Sequence, residues 1–540
     1  METARLAADG ASLKEDLLRP AAYALLTKTP ERVALTETHI SWVFLLERDV
    51  VKVKKPVNLG FLDFRTIAQR RAACEAEVEL NARLSKNVYL GVVPIRLGAD
   101  RHAQVGGSGP IVDWAVHMRR LPDAWRADTR ARDGVLAARA IDAVAARIAT
   151  FHEEARSDEE TARFGLPDAL ARNLDENFAQ TRDAIGRYLR SNESDELSRW
   201  QTAFLRGHAE LFLARAAAGR VRDGHGDLRL EHVYLEPSGA VTILDCIEFN
   251  ERFRFGDVCA DVAFLSMDLA EHGRVDLAER LVAKYARASN DFDLYAVVDF
   301  YQSYRGYVRG KVAAMLADDV GADSATRSRA ASEARRYFMN ALAASHRPLL
   351  LPAVVAVGGV IASGKSTIAE RIADAMSAPI VDADRTRKSM LGVAPLRALS
   401  EPAWQGAYDL ELTSKVYAEV LRRASVVLAS GRPVVLDASF RSAEMRRAAR
   451  ELAAAHGVPF RFVECQANED LCRARLAQRE ESRGVSDGRL AIFEAFAKSF
   501  EPVDELPSSE HIVLDTAQPF EESEALLRAT LDTWPEGFVA

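Results

Sequence analysis

Gly359-Val360-Ile361-Ala362-Ser363-Gly364-Lys365-Ser366 is the stretch on which the fold of this chain turns. It satisfies G-x-x-x-x-G-K-[ST] in full, and its flanks are those the loop requires. The run Ala353-Val354-Val355-Ala356-Val357 before it reads as a buried parallel strand, and Thr367-Ile368-Ala369-Glu370-Arg371-Ile372 after it opens an amphipathic helix. Glycines let backbone N–H groups turn inward around a phosphate chain, and the helix start adds its partial positive charge. Gly359, Ser363, Gly364, Lys365, Ser366 and Thr367 are the candidate phosphate contacts. Lys365 would reach the β- and γ-phosphates, and Ser366 would ligate Mg²⁺. A glycine turn with a chance lysine is the bland alternative, and the strand–loop–helix context argues against it. The stretch points to a bound nucleoside triphosphate.

Outward from this loop, strands are expected at 353–357, 379–382, 433–437, 460–464 and 511–515, each followed by a helix. That alternation predicts a doubly wound parallel sheet, whose ligands lie beyond the carboxyl ends of the strands. After the second strand comes Asp382-Ala383-Asp384-Arg385-Thr386-Arg387-Lys388. Asp384 is the candidate catalytic carboxylate that accepts a proton from a substrate hydroxyl, with a helix cap as its alternative role. Arg387 could clamp an anionic group of the acceptor. Asp437, ending Val434-Val435-Leu436-Asp437, would hold Mg²⁺ through water, or serve only as a strand-end acid. The helix from Asn468 to Arg479 leads into Glu480-Glu481-Ser482-Arg483-Gly484-Val485-Ser486-Asp487, which reads as a lid. Arg479 and Arg483 are four apart and would neutralise charge on the transferred phosphoryl, or else pair with Glu480 and Glu481 on a solvated face.

These residues resemble those of the P-loop small-molecule kinases related to gluconate kinase, polynucleotide kinase and the zeta toxins. The likeness rests on the phosphate loop, the D-x-x-R-K run at Asp384 to Lys388 and L-D-A-S at Leu436 to Ser439, over about residues 350–535. It implies ATP-dependent phosphorylation of a hydroxyl near Asp384 and leaves the acceptor open.

In the N-terminal half the signal is His225-Gly226-Asp227, with Asp245 eighteen residues further on at the end of Val241-Thr242-Ile243-Leu244. Two aspartates flanking a short hairpin suit phosphoryl transfer: one handles the acceptor proton and the other grips Mg²⁺. Upstream, Trp42-Val43-Phe44-Leu45-Leu46 and Asp49-Val50-Val51-Lys52-Val53-Lys54-Lys55-Pro56 read as a hairpin with Lys52 and Lys54 on one face. A helix over 70–84 offers Glu77, and Lys54 with Glu77 is the preferred ion pair for positioning phosphates, a solvated surface being the alternative. Ala115 to Pro122 reads as a strand running into a hinge, where adenine would meet backbone groups around Met118.

This half resembles the aminoglycoside phosphotransferase and choline kinase group, a branch of the protein-kinase-like fold, over about residues 30–310. The likeness rests on H-G-D, on Leu244-Asp245-Cys246-Ile247-Glu248-Phe249-Asn250, and on Asp257 with Asp261. It implies Asp227 as catalytic residue and Asp245 as metal ligand. That group usually has Asn five residues after the catalytic Asp as a second Mg²⁺ ligand, and this chain has His232. Imidazole is a poor ligand for a hard cation. Either Asn250 or another oxygen compensates, or the half binds nucleotide weakly, or it has lost turnover. A kinase-type glycine-rich loop is also missing before the lysine strand, so the Thr38-His39-Ile40-Ser41 turn is the expected nucleotide cover. The tandem looks like a bacterial family of bifunctional phosphotransferase and ATP-binding proteins.

The expected fold is thus α/β and α+β: a protein-kinase-like domain at 1–345, then a P-loop kinase domain at 346–540. A chain of 540 residues is too long for one core. Its net charge of −8 argues against nucleic acid as a main partner. Five scattered cysteines without C-x-x-C spacing fit reduced thiols, and Met1 to Pro20 is broken by charges, so a soluble cytoplasmic protein is expected. The leading reading is a two-headed kinase using ATP and Mg²⁺ on a small hydroxylated acceptor. The others are an ATP-binding regulator with an N-terminal pseudokinase, and a toxin-like kinase of nucleotide sugars or nucleic-acid ends. Oligomeric state leaves no signature in the sequence.

Overall fold

Lys52 and Lys54 share a face because they sit on a strand whose other face is a core. The computed structural model describes residues 10–531 and 533, except 59, 61, 345–349, 395–396, 398, 400–401, 403 and 481–487. The chain divides into two compact units, Met1–Asp175 with Leu205–Asp268, and Glu176–Phe204 with Leu269–Ala540. In the first, β1 (Ala34–Glu37), β2 (Ser41–Leu45), β3 (Asp49–Lys54), β4 (Tyr89–Leu97), β5 (Ala103–Val105) and β6 (Ile111–Arg119) form an antiparallel sheet in the order β1-β2-β3-β6-β4-β5. Trp42, Phe44, Val51, Val53 and Ala115 fill one face. By the two-residue period of a strand, Lys52 and Lys54 take the other.

Helix α1 (Ile67–Asn81) starts at a reciprocal cap between Thr66 and Gln69. Its buried positions are Arg70, Ala73, Cys74, Glu77 and Asn81, a helical stripe, so Glu77 points inward. The helix is shorter than the expected 70–84 at its end and begins earlier. Further along, β7 (Val221–Asp223) pairs antiparallel with β10 (Phe255–Asp257), and the hairpin β8 (Val233–Leu235) and β9 (Val241–Ile243) separates the two aspartates. Helix α2 (Val258–Glu271) follows β10.

The second unit joins helices α3 (Val275–Ser289), α4 (Val298–Asp318) and α5 (Ser324–Ala343) to a five-stranded parallel sheet. Its strands are β11 (Val354–Gly358), β12 (Ile380–Asp382), β13 (Val434–Asp437), β14 (Phe460–Gln466) and β15 (His511–Asp515), in the order β12-β13-β11-β14-β15. β11 lies in the middle and every residue of it is buried. That is why it reads as a continuous apolar run without alternation. Helix α6 (Lys365–Met376) follows β11, α7 (Ala383–Met390) follows β12, and α8 (Glu469–Glu480) follows β14.

Charge ties α3 to the sheet layer of the same unit. Arg280 and Lys284 each lie 2.9 Å from Asp374 on α6. Arg287 pairs with Glu370 and approaches Asp382 at 3.4 Å. Arg432, just before β13, is buried between Glu279 at 2.6 Å and Asp299 at 2.7 Å. The expected boundary at 345/346 falls among residues outside the described ones, and the compact units divide elsewhere. All five cysteines are buried and unbridged. Among the described residues no helix is long and apolar enough to cross a membrane.

Candidate active sites

In the parallel sheet, Val357 and Asp382 both lie opposite Asp437 in register, so three strand ends meet at one edge. The chain leaves β11 through Gly359, at φ 142°, where a Cβ would stand 2.4 Å from Cys465 O and 2.6 Å from Ser363 Oγ. Only glycine fits that approach. Gly364, at φ 90°, precedes α6, placing Lys365 and Ser366 in its first turn. Thr516 Oγ1 donates to Ser363 O at 2.6 Å, and Arg475 on α8 donates to Ala362 O at 3.3 Å and Thr516 O at 2.7 Å. The loop is braced from behind by these two side chains. Ser363 Oγ is buried with no hydrogen-bond partner among the described residues, an orphan that a phosphate oxygen would satisfy.

Asp437 receives a hydrogen bond from Ser366 and lies near Lys365, Asp382 and Asp384. Burial, reinforced by Asp382 and opposed by Lys365, pushes its carboxyl up to about 6. A hydroxyl and a carboxylate crowded by further acids form an oxygen donor set of the kind Mg²⁺ takes, so the residues fit that ion. Asp384 is not the cap of α7. Asp382 is, its Oδ1 accepting from Arg385 N at 2.7 Å. Arg387 is buried, donates to Asp384 Oδ1 at 3.2 Å and lies 5.0 Å from the Tyr408 ring, while its Nε has no partner among the described residues. Arg479 lies on α8, and Arg483 with the expected lid lies outside the described residues.

In the other unit, Glu77 takes both lysines: Lys52 at 2.8 Å and Lys54 at 2.6 Å. The expected Lys54–Glu77 pair is present, and Lys52 shares the same carboxylate. Lys54 is fully buried and its ammonium also pairs with Glu248, whereas Lys52 reaches on to Asp245 Oδ1 at 2.6 Å. Lys52 is the lysine that faces the second aspartate. Burial works against the charge on Glu77, yet the two lysines hold its carboxyl below the usual range.

His232 lies between Asp227 and Asp245: its Nδ1 is 2.8 Å from Asp227 O and its Nε2 3.6 Å from Asp245 Oδ2. Arg229 grips both Asp227 oxygens at 3.0 Å. Asp261 accepts from His225 N at 2.6 Å and Gly226 N at 2.9 Å, so this helix acid shapes the H-G-D turn, while Asp257 is held by Arg215. His225 donates from Nε2 to Leu244 O at 2.9 Å, and burial lowers its pKa to about 4, so its ring is neutral at pH 7. Asn250 caps the short helix that follows it, its Oδ1 accepting from Arg252 N at 3.0 Å. The strand expected to run from Ala115 toward a hinge is the end of β6, and Met118 is its penultimate residue. It sits within β6 opposite Val50 and Tyr89, with its side chain among Cys74, Val116 and Leu121. The Thr38–Ser41 turn closes on itself through Thr38 Oγ1 and is tied to Lys55. One imidazole and one carboxylate do not make an oxygen cage, so this pair fits Mg²⁺ poorly.

Several of these residues escape the sequence reading. Thr516 follows the last strand at its carboxyl end, the position rule that singles out Asp384 and Asp437. Arg475 lies one turn before Arg479, and Glu248 stands within the L-D-C-I-E-F-N run. Arg229 had no signal beyond its closeness to Asp227.

Comparison with known proteins gives two family matches. Residues 48–301 match a phosphotransferase enzyme family, and residues 354–503 match an AAA domain family. Uncharacterized protein Rv2004c of Mycobacterium tuberculosis is 33% identical over 466 residues, covering 86% of this chain and 89% of the relative. Uncharacterized protein Mb2027c of Mycobacterium bovis is equally similar. Among solved structures, a choline/ethanolamine kinase family protein from Mesorhizobium loti is 14% identical, covers 62% of this chain and 98% of its own, and has a TM-score of 0.36. A gluconokinase from Sinorhizobium meliloti is 23% identical, covers 34% of this chain and 91% of its own, and has a TM-score of 0.24.

Proposed function

We infer function from the premise that this chain belongs to the family of the mycobacterial proteins Rv2004c and Mb2027c and joins a phosphotransferase-type module to a P-loop kinase-like one. Such modules are those of a phosphotransferase. The finer reading is an ATP-dependent kinase that moves the γ-phosphoryl to a hydroxyl of a small molecule, with 1–345 and 346–540 as its two heads. The observation that carries it is the meeting of Lys365, Ser366, Asp384 and Asp437 at one sheet edge below a braced glycine loop.

In the P-loop head, backbone amides of Gly359–Thr367 and the Lys365 ammonium would hold the phosphates. Mg²⁺, held by Ser366 and Asp437, would supply charge neutralisation to them. Asp384 would take the acceptor proton, and the buried Arg387, whose Nε has no partner among the described residues, would orient an anionic group on that acceptor. In the other head, Glu77 fixes Lys52 for the phosphates and Asp227 would face the acceptor. A cytoplasmic location agrees with the unbridged cysteines.

One observation favours a second reading, in which the N-terminal head senses a ligand without turnover. Arg229 donates to both Asp227 oxygens, a grip that competes with an acceptor hydroxyl for that carboxylate. The test is labelled-ATP turnover by the full chain on a metabolite extract, with products identified by mass spectrometry. Parent, Lys365→Ala and Asp227→Ala are compared. Two products, each lost in one variant, support two working heads. If Asp227→Ala changes nothing, the sensing reading replaces it. Failure of the parent to form any phosphorylated product overturns the kinase reading.

A further inference from the structure

The residue that breaks the family pattern at the second aspartate is placed with more care than a lost ligand needs. His232 is nine-tenths buried, and its Nδ1 lies 2.8 Å from Asp227 O. A carbonyl oxygen only accepts, so Nδ1 donates there, and in the neutral ring it is Nε2 that has the lone pair. The ring lies against His225 with centroids 6.0 Å apart, and His225 is itself pinned to Leu244 O. A metal-binding imidazole is typically oriented by such a bond from its other nitrogen.

Nε2 points to acids. Asp245 Oδ2 is 3.6 Å away and Glu231 Oε1 3.7 Å away, both too far for a hydrogen bond. Two donors about 2.1 Å from one ion at a tetrahedral angle stand roughly 3.4 Å apart, close to the first of these separations. Glu231 is already paired with Arg229, which leaves Asp245 as the carboxylate partner. Asp245 in turn is held at φ 65°, a left-handed conformation that costs a non-glycine residue about 1 kcal/mol or more. Lys52 holds its Oδ1, and its N–H donates to Tyr89 Oη at 3.2 Å. These contacts leave Oδ2 turned toward the imidazole.

We propose that His232 Nε2 and Asp245 Oδ2 form a site for a first-row transition cation that takes imidazole nitrogen, in place of the all-oxygen Mg²⁺ site expected of this module. The remaining positions would be filled by water or by phosphate oxygens. The chemistry of the donors sets the preference: imidazole suits Mn²⁺, Co²⁺ and Zn²⁺ in rising order, and Mg²⁺ demands oxygen. The proposal rests on the reading of Asp245 as a cation ligand and changes which cation it serves. The oxygen-only cluster at Ser366 and Asp437 keeps Mg²⁺, so the two heads would differ in metal.

The experiment uses the full chain carrying Ser366→Ala and Asp437→Asn, which silences the other cation cluster, with Mn²⁺ alone as the probe. Pulsed electron paramagnetic resonance detects imidazole nitrogen coupled to the bound ion. The expected result is one nitrogen coupling, lost in His232→Asn, with Mn²⁺ affinity about tenfold weaker in that variant. The coupling in the background protein needs no further substitution, so the test survives if His232→Asn does not fold. Bound Mn²⁺ without nitrogen coupling overturns the proposal and leaves Asp245 as a ligand. No bound Mn²⁺ overturns both. As a second readout, Mn²⁺ over Mg²⁺ should stabilise the background protein against heat, and His232→Asn should reverse that order; an unchanged order counts against the proposal.

Discussion

The two acid clusters of this chain solve one problem, holding a carboxylate next to a phosphate site, with opposite means. At the P-loop the carboxylate Asp437 is buried among other acids and depends on a cation for relief. At the second site, Asp245 already has Lys52 for a partner, and despite desolvation its carboxyl is held well below the usual range. One site is destabilised until it is loaded. The other is internally neutralised, and its metal chemistry is set by a neighbouring imidazole. Two kinase-like modules in one chain thus need not share an electrostatic design.

The largest test of this contrast is Lys365→Ala, expected to lower ATP turnover by the P-loop head about 100- to 1,000-fold, the scale of losing one aligned charge donor. Asp227→Ala should leave that head untouched; following ADP release separately for each variant checks this. A variant of the one lysine that silenced both heads would break the comparison.

Next comes Asp437→Asn without Mg²⁺. Its native carboxyl titrates near 6, above the unfolded value of about 3.9. The folded state thus binds the proton more tightly, and the parent loses stability as pH rises from about 4 to 6. The amide removes that loss, so the variant should be more stable at pH 7.5 by on the order of 2–3 kcal/mol, with the difference gone below pH 4. Urea denaturation at the two pH values measures it. Equal stability at pH 7.5 would mean that the charge is not strained. No such gain is expected for Asp245→Asn, which would take from the buried Lys52 one of its two carboxylate partners and leave it Glu77 alone.

Gly359→Ala and Gly226→Ala sharpen the contrast at the backbone level. A Cβ at Gly359 meets Cys465 O at 2.4 Å, and one at Gly226 meets Phe253 O at 2.7 Å, both at positive φ. Each should cost about 1–3 kcal/mol of stability. Gly359→Ala should also abolish nucleotide-dependent stabilisation of its head, as read by thermal shift with ATP. The smallest effect is Thr66→Ala, which removes half of the cap on α1 and should cost about 1 kcal/mol. A rise in KM for ATP in the second head alone would link that helix to Lys52 through Glu77.

The sheet of the P-loop half was legible almost residue by residue. Buried parallel strands leave unbroken apolar runs, and the expected 353–357 became Val354–Gly358 while 511–515 became His511–Asp515. The candidate acids there were equally legible, because strand ends are a position rule. Choosing between Lys52 and Lys54 was not, since both lie on the same face and only the approach of Asp245, 193 residues away in sequence, separates them. Arg475 and Arg229 were hidden for the same reason: an arginine on a helix or beside an acid looks like surface until the loop it supports is folded against it. At Asn250 a capping role and a ligand role ask for the same amide oxygen, and the residue type alone does not tell them apart.

The ion ladder from α3 to α6 and the doubly engaged Arg432 carry a practical lesson for anyone cutting this gene. A fragment trimmed at the linker would strip Glu279 and Asp299 from Arg432 and leave a cation stranded inside a nucleotide-binding body. The compact unit holding this sheet takes in Glu176–Phe204 as well as Leu269–Ala540, so no single cut in the chain releases it whole.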